Sequence, residues 1–459
     1  MRKFKKAIFL LIVINTIYSG AQTIYQPTWE SIDSRAIPEW FEDAKFGIFI
    51  HWGLYSVPSW APTEGGIYDK YSEWYWARLQ KGEKPTQSFI DFHKQMYGND
   101  FQYQDFVKDF KAELFNPDQW ANIFKNSGAK YVVLTSKHHE GFALWPSAQS
   151  PNWNSVDLSP HRDLCGDLSK SVKEKGLKMG FYYSLYEWFN PLYKTNVAKY
   201  VDDQMIPQLQ DLVVRYHPDI VWTDGEWSHP DETWKSTRFL SWLYNDSPVK
   251  DQVVVNDRWG KGTRGKHGGF YTTEYDISHV EDKSVYHPWE ECRGIGGSFG
   301  YNRNENLQDY QSSASLIHVL VEKVARGGNL LLNVGPTADG RIPVIMQQRL
   351  SDIGAWLKVN GESIYRTRRW NDAPDIKAPT THYFTRKGSD LYLIITQWQD
   401  KPIVVDKIEH VDDVSMLGYA GKIKYKHNGR KLTITLPAIN PANNPCEFAW
   451  VFKIKQALN

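Results

Sequence analysis

Cysteine is scarce in this chain: Cys165, Cys292 and Cys446 are the only three in 459 residues. At most one disulfide can form, so a disulfide scaffold is excluded and a hydrophobic core must carry stability. Their wide separation matches no zinc-binding spacing. An excess of either charge is lacking too, with 54 Lys and Arg against 53 Asp and Glu. That balance gives no footprint for nucleic acid or an anionic membrane. Beyond the N-terminus no apolar run is long enough to span a bilayer. There is no internal repeat, no low-complexity segment, and no Gly-rich phosphate loop after an early strand.

What the chain has in plenty is aromatic side chains, 15% of residues with 20 Trp. Cores rarely need so many indoles, so many of them line surfaces or pockets. A ligand with apolar faces and many hydroxyls suits such walls. At the N-terminus, Arg2, Lys3, Lys5 and Lys6 precede an apolar stretch from Ala7 to Tyr18 and the small residues Ser19-Gly20-Ala21. This is the pattern of a cleavable export signal. No cysteine follows it, so lipid attachment is not expected. The mature protein is expected to begin near Gln22 and to be exported, periplasmic or secreted.

Short apolar runs at 46–50, 130–135, 178–183, 218–221, 252–255 and 328–334 end in polar residues, and amphipathic stretches at 118–127, 167–175 and 204–216 lie between them. Alternating buried strands and helices imply a parallel sheet. Polar residues gathered at the strand ends favour an α/β (β/α) TIM-like barrel over an open doubly wound sheet. Residues 61–99 and 261–301, rich in aromatics, are expected as two long loops over the barrel mouth. Beyond 366 the helical period stops. Alternating strands are expected at 382–385, 391–396, 403–405, 422–425, 431–436 and 448–454, with Asn428-Gly429 as a hairpin signal. The expected organisation is a signal peptide (1–21), a catalytic barrel (22–365) and a C-terminal antiparallel β-sandwich (366–459).

The strand end Trp222-Thr223-Asp224-Gly225-Glu226-Trp227 places two carboxylates among indoles, a costly arrangement unless their charge is used. An Asp after a strand often caps a helix, but Gly225 and Pro230 interrupt any helix here. His51 and the pair His138-His139 invite a metal. Adjacent strand residues face opposite sides, however, and no His-x-His pair accompanies them. Histidines equally exchange hydrogen bonds with sugar hydroxyls, so neither metal nor cofactor is expected. Glu73, within Tyr71-Ser72-Glu73-Trp74-Tyr75-Trp76, sets a further carboxylate among rings. Glycoside hydrolysis usually takes two carboxyl groups. Glu226, Glu274 and Glu290 are candidate partners for Asp224, and the residues alone leave the choice open.

Four motifs carry a resemblance. They are the stretch from Trp40 to Gly53, Ser136-Lys137-His138-His139-Glu140-Gly141-Phe142, the Trp222-x-Asp224 strand end, and Asn329-Leu330-Leu331-Leu332-Asn333-Val334-Gly335-Pro336. In this order they resemble family 29 glycoside hydrolases, the α-L-fucosidases, from about Trp40 to Tyr365 and more weakly beyond. The resemblance implies a metal-free retaining exo-fucosidase acting on a fucosylated oligosaccharide or glycoconjugate, with Asp224 as nucleophile. It implies sugar contacts from His51, Glu73, Trp74, His138, His139, Tyr183, Trp222 and Arg258, with Phe49 and Phe299 walling the fucose methyl. Thr273-Glu274-Tyr275 with the 293–302 stretch resembles bacterial members that use the earlier Glu, which favours Glu274 as acid/base and leaves Glu290 as the alternative. A fucose-binding protein of weak catalytic power and a metal-dependent barrel hydrolase are the rival readings. Linkage and assembly, a homo-oligomer included, stay open.

Overall fold

Eight short strands follow one another around a single curled sheet in the computed structural model, which describes residues 23–80, 86–275, 277–278, 286–373 and 380–458. They are β1 (Phe46–Ile50), β2 (Tyr131–Lys137), β3 (Lys178–Ser184), β4 (Ile220–Asp224), β5 (Val254–Val255), β6 (Tyr271–Glu274), β7 (Trp289–Gly294) and β8 (Asn329–Val334). Neighbours are parallel from β1 to β5, from β6 to β8, and between β8 and β1. The parallel bridge between Asn256 and Phe270 joins β5 to β6 and closes the ring. This is the expected (β/α) barrel.

Helices Pro117–Asn126, Leu164–Glu174, Ile206–Tyr216, Ser236–Asn245, Ser313–Ala325 and Val344–Asn360 pack outside the strands. The ring interior is filled by Phe49, Tyr131, Val133, Tyr182, Ile220, Trp222, Phe270 and Leu331. Phe41, on the short helix Glu39–Ala44, plugs its base by stacking on Phe270 at 4.1 Å. Gly47 is required for close approach, because a Cβ there would stand 2.3 Å from the Tyr131 ring.

Two expectations need correction. The segment 261–301 is not one loop, since it contains the barrel strands β6 and β7. Neither strand shows as an apolar run, because both carry carboxylates: Glu274 on β6, and Glu290 and Glu291 buried on β7. The segment 61–99 is partly helical, with Tyr75–Leu79 and Gln87–Tyr97, and its first half covers the barrel mouth.

After the barrel come β9 (Arg368–Arg369), β10 (His382–Lys387), β11 (Asp390–Ile395), β12 (Ile403–Asp406), β13 (Asp413–Met416), β14 (Lys424–Asn428), β15 (Lys431–Thr435) and β16 (Trp450–Lys455). Antiparallel pairing yields one sheet in the order β9-β10-β11-β16-β13 and another in the order β12-β15-β14. Leu391, Leu393 and Ile395 of the first sheet face Ile403, Leu432 and Ile434 of the second. On the opposite face of β11, Tyr392 and Ile394 join the core around the barrel helices. The hairpin signalled by Asn428-Gly429 is present. Its two-residue loop is Gly429-Arg430, with Gly429 at φ +60°, because Asn428 already pairs with Lys431.

All three cysteines are free thiols. Among the described residues no helix is long and apolar enough to cross a membrane. The export signal expected at 1–21 lies outside the described residues.

Candidate active site

A cavity of about 630 Å³ opens at the C-terminal ends of the barrel strands. Each strand ends where its chain turns polar, so side chains from several strands converge on it. Phe49, His51, Glu73, Trp74, His138, His139, Trp222, Asp224, Arg258, Glu274 and Phe299 all line it. Two expected residues do not.

Asp224 ends β4 and is followed by Gly225 in the left-handed region at φ +77°. A Cβ on Gly225 would press within 2.5 Å of Tyr186, so only glycine lets the chain turn away here. The Asp224 carboxylate accepts from Arg258 Nη1 at 2.7 Å and from the Tyr182 hydroxyl at 3.0 Å. Arg264 Nη2 lies 3.6 Å away and His139 Nε2 3.8 Å away. Burial alone would push this carboxyl up, but the Arg258 charge, with His139 and Arg264, holds it well below the usual carboxylate range. It is ionised at any working pH.

Glu274 ends β6 across the same cavity. Its carboxylate accepts from the Tyr71 hydroxyl at 2.8 Å and lies 3.4 Å from Arg258 Nη2. One guanidinium, lying over the Trp222 ring at 4.5 Å, therefore spans Asp224 and Glu274. Glu226 also faces the cavity. Arg264 Nε donates to it at 2.5 Å, which ties it to the Asp224 side.

Two histidines have tautomers set by their neighbours. The Ser184 hydroxyl donates to the Tyr186 carbonyl, so it can only accept from His139 Nδ1–H, at 2.6 Å. Asn333 Nδ2 donates to the Phe299 carbonyl, which turns its Oδ1 toward His51 Nδ1–H at 2.7 Å. Burial pushes both imidazoles well below their ordinary range. Both are thus neutral, and each keeps an Nε2 lone pair free to accept from a ligand hydroxyl. Glu73 is 2% exposed and accepts from Gly300 N–H and Ser298 Oγ through one oxygen. Burial raises its carboxyl to about 7. Phe49, Trp222 and Phe299 form an apolar wall, with Phe49 and Trp222 centroids 5.0 Å apart. Trp74 and Trp227 run parallel at 6.3 Å.

Tyr183 is the first residue outside the cavity. It points away from the barrel axis, where its hydroxyl donates to Gln208 at 2.8 Å and its ring meets Lys137. Side chains alternate along β3, so Tyr182 faces inward instead, in register with Trp222. Glu290 is the second. It sits within the barrel below the cavity, held by the Tyr131 hydroxyl at 2.5 Å and Trp222 Nε1 at 3.0 Å. Burial raises it to about 7. Sequence reasoning missed Tyr182, Tyr68, Tyr71 and Arg264 as cavity residues. Only the strand parity shared with Trp222 and Asp224 could have pointed to Tyr182. Among the described residues no cluster of three or more His, Cys, Asp or Glu side chains is arranged to hold a metal ion.

Family models match the chain along most of its length: alpha-L-fucosidase over residues 12–362 and alpha-L-fucosidase C-terminal domain over 375–455. The tissue alpha-L-fucosidase of Bos taurus is 46% identical over 444 residues, covering 94% of this chain and 91% of the relative. An alpha-L-fucosidase of Branchiostoma floridae is 44% identical, covering 97% and 99%. The crystal structure of Thermotoga maritima alpha-fucosidase in complex with fucose superposes with a TM-score of 0.78 at 36% identity, covering 94% of this chain and all of that one. Identity is thus higher to these animal proteins than to this bacterial structure, whereas residues 273–302 are expected to resemble bacterial members.

Proposed function

The chain belongs to the α-L-fucosidase family, and we propose that Asp224 is its nucleophile and Glu274 its acid/base. It is a glycoside hydrolase that releases terminal α-L-fucose with retention of configuration. The observation that supports the residue assignment is Arg258, whose two terminal nitrogens engage Asp224 and Glu274 across one cavity. A retaining pair works at a separation of about 5–5.5 Å, which suits two carboxyl groups shared by one guanidinium.

In the first step an Asp224 oxygen attacks the anomeric carbon while protonated Glu274 gives its proton to the departing glycosidic oxygen. A fucosyl ester of Asp224 results. Glu274, now a carboxylate, takes a proton from water, whose oxygen displaces Asp224 and releases fucose. His51 and His139 accept from sugar hydroxyls, Glu73 adds a further polar contact, and the Phe49–Phe299 wall takes the methyl face. Bonds that tighten as the ring flattens accelerate both steps.

The substrates are fucosylated oligosaccharides or glycoconjugates. Residues 22–365 form the catalytic unit and 366–459 the accompanying β-sandwich. The protein is exported after cleavage near Gln22. N-terminal sequencing of secreted material tests that last point, and an intact Met1 defeats it. Incubation with an aryl α-L-fucoside, followed by NMR of the first fucose released, tests the rest. The α-anomer should appear first and a chelator should not slow it. A sugar-binding protein without catalysis releases no phenol, and a metal-dependent hydrolase loses activity to the chelator.

A further inference from the structure

Glu140 follows the two histidines at the end of β2, buried to 1% exposure, and has no part in the steps above. Its Oε2 stands 3.5 Å from Nδ1 of His138. Both atoms are sealed from solvent, and neither has a formed hydrogen bond to any other group among the described residues. Two unsatisfied buried polar atoms facing each other are costly unless they share a proton. Catalytic hydrogen bonds that are long in the free enzyme commonly tighten when substrate arrives.

We propose that the Glu140 carboxylic acid donates to Nδ1 of His138 and so presents Nε2–H of that histidine to the cavity as a hydrogen-bond donor. The inference rests on the fucosidase activity above and makes Glu140 a positioning residue for it. A shared proton satisfies both atoms of the pair. The surroundings place that proton on the carboxyl. Burial raises Glu140 to about 8, and burial lowers His138 to about 3. The groups facing Glu140 come from three elements. Lys137 is on its own strand, and its ammonium is engaged by Glu187 at 2.7 Å. Tyr55, after β1, and Tyr103, between the helix Gln87–Tyr97 and β2, are phenols that burial holds well above their ordinary range. Neither phenol ionises in the working window, so both leave Glu140 protonated at neutral pH.

The cavity then has a polarity. His51 and His139 offer lone pairs, fixed by Asn333 and Ser184, whereas His138 offers a proton. A hydroxyl lying against His138 has to accept from it, while those against the other two donate. Ionisation of Glu140 reverses His138, because a carboxylate can only accept from Nδ1–H and leaves Nε2 as a lone pair.

The test is the pH dependence of kcat/KM on an activated aryl α-L-fucoside, whose phenolate leaves without protonation, so that the general acid's own ionisation does not shape the profile. The wild type should lose kcat/KM as pH rises through about 8. In Glu140→Gln the amide N–H takes over the donation and cannot titrate. This variant should keep kcat/KM within about tenfold at pH 7 and lose the alkaline limb. Glu140→Met, which has no donor, should fall by about 10- to 100-fold, with the Gln variant standing as its rescue. An alkaline limb unchanged in Glu140→Gln, or wild-type kcat/KM in Glu140→Met, overturns the proposal. If the Met variant does not fold, the Gln profile decides alone. A wild type with no fucosidase activity defeats the function assignment, whereas an active wild type whose profile ignores Glu140 defeats only this inference.

Discussion

The Tyr131 hydroxyl donates to Oε2 of Glu290 at 2.5 Å inside the barrel. The other oxygen of that carboxyl takes the Trp222 indole N–H at 3.0 Å, so Glu290 fastens β7 to β2 and β4 beneath the cavity that holds Asp224 and Glu274. Burial raises its folded-state value from 4.5 to about 7. A raised carboxyl binds its proton more tightly folded than unfolded, so its contribution is complete below 4.5 and is lost as pH rises through about 7. Glu73 and Glu140 act in the same direction. Burial lowers His51, His138 and His139, which oppose this change below about 6.5, so the fall in melting temperature from pH 5 to pH 8 should be concentrated above 6.5. Glu290→Gln should flatten that fall, by an amount on the order of 1–3 kcal/mol across the range. A slope identical to wild type rules out the buried acid as a source.

Leaving-group dependence separates the two candidate acids. Glu274→Ala should slow natural fucosides far more than an activated aryl fucoside, because only the former need a proton on departure. With the activated substrate the second step lacks its base, so fucosyl-enzyme accumulates and KM falls. Glu290→Ala, which damages the barrel interior, should slow both substrates by similar factors and lower the melting temperature. A leaving-group effect that follows Glu290 transfers the role to it.

Replacing Asp224 with Ala should leave the fold intact and reduce kcat by several orders of magnitude, about 4–7 kcal/mol in barrier. Azide should fit the vacated space and yield a fucosyl azide of inverted configuration, detectable by NMR. Substantial residual turnover without azide removes Asp224 from the nucleophile's place.

The two tyrosines of β3 should behave oppositely. Tyr182→Phe removes a donor to Asp224 and should lower kcat/KM by about tenfold at little cost in stability. Tyr183→Phe leaves Gln208 with an unpaired oxygen and should cost roughly 1–3 kcal/mol in stability, with kcat/KM nearly unchanged. Steady-state kinetics beside urea titration check both, and the reverse pattern means that β3 is rotated relative to the structure.

Much of the barrel was legible because six of its strands are apolar runs ending in chemistry, as Ile220–Asp224 is. β6 and β7 were not, because Thr272, Glu274, Glu290 and Glu291 sit where an apolar residue signals a buried strand. Glu291 pairs with Arg293 two residues on, but Glu274 and Glu290 are met by Arg258 and Tyr131, partners farther along the chain that no local pattern records. The same distance hid the site's finer parts. Asp224 and the histidines announce themselves beside strand ends, but Tyr182 against Tyr183 is a question of one residue's parity. Arg264 reaches Glu226 across 38 positions of sequence. β13 was missed because Asp413–Met416 alternates too briefly to stand out.

The five-stranded sheet after the barrel has no free face. Leu391 and Leu393 pack toward the smaller sheet, while Tyr392, Ile394 and Val451 share a core with the barrel helices. Trp356, on the last of those helices, donates its indole N–H to the Ala449 carbonyl, and Thr385 reaches back to Ser363. It is a party wall: neither house stands once it is taken down. A chain ending near 365 would bare the flank of two catalytic-domain helices and should be recovered as insoluble protein. The intact chain should melt in one cooperative transition, with activity and sandwich lost at the same temperature.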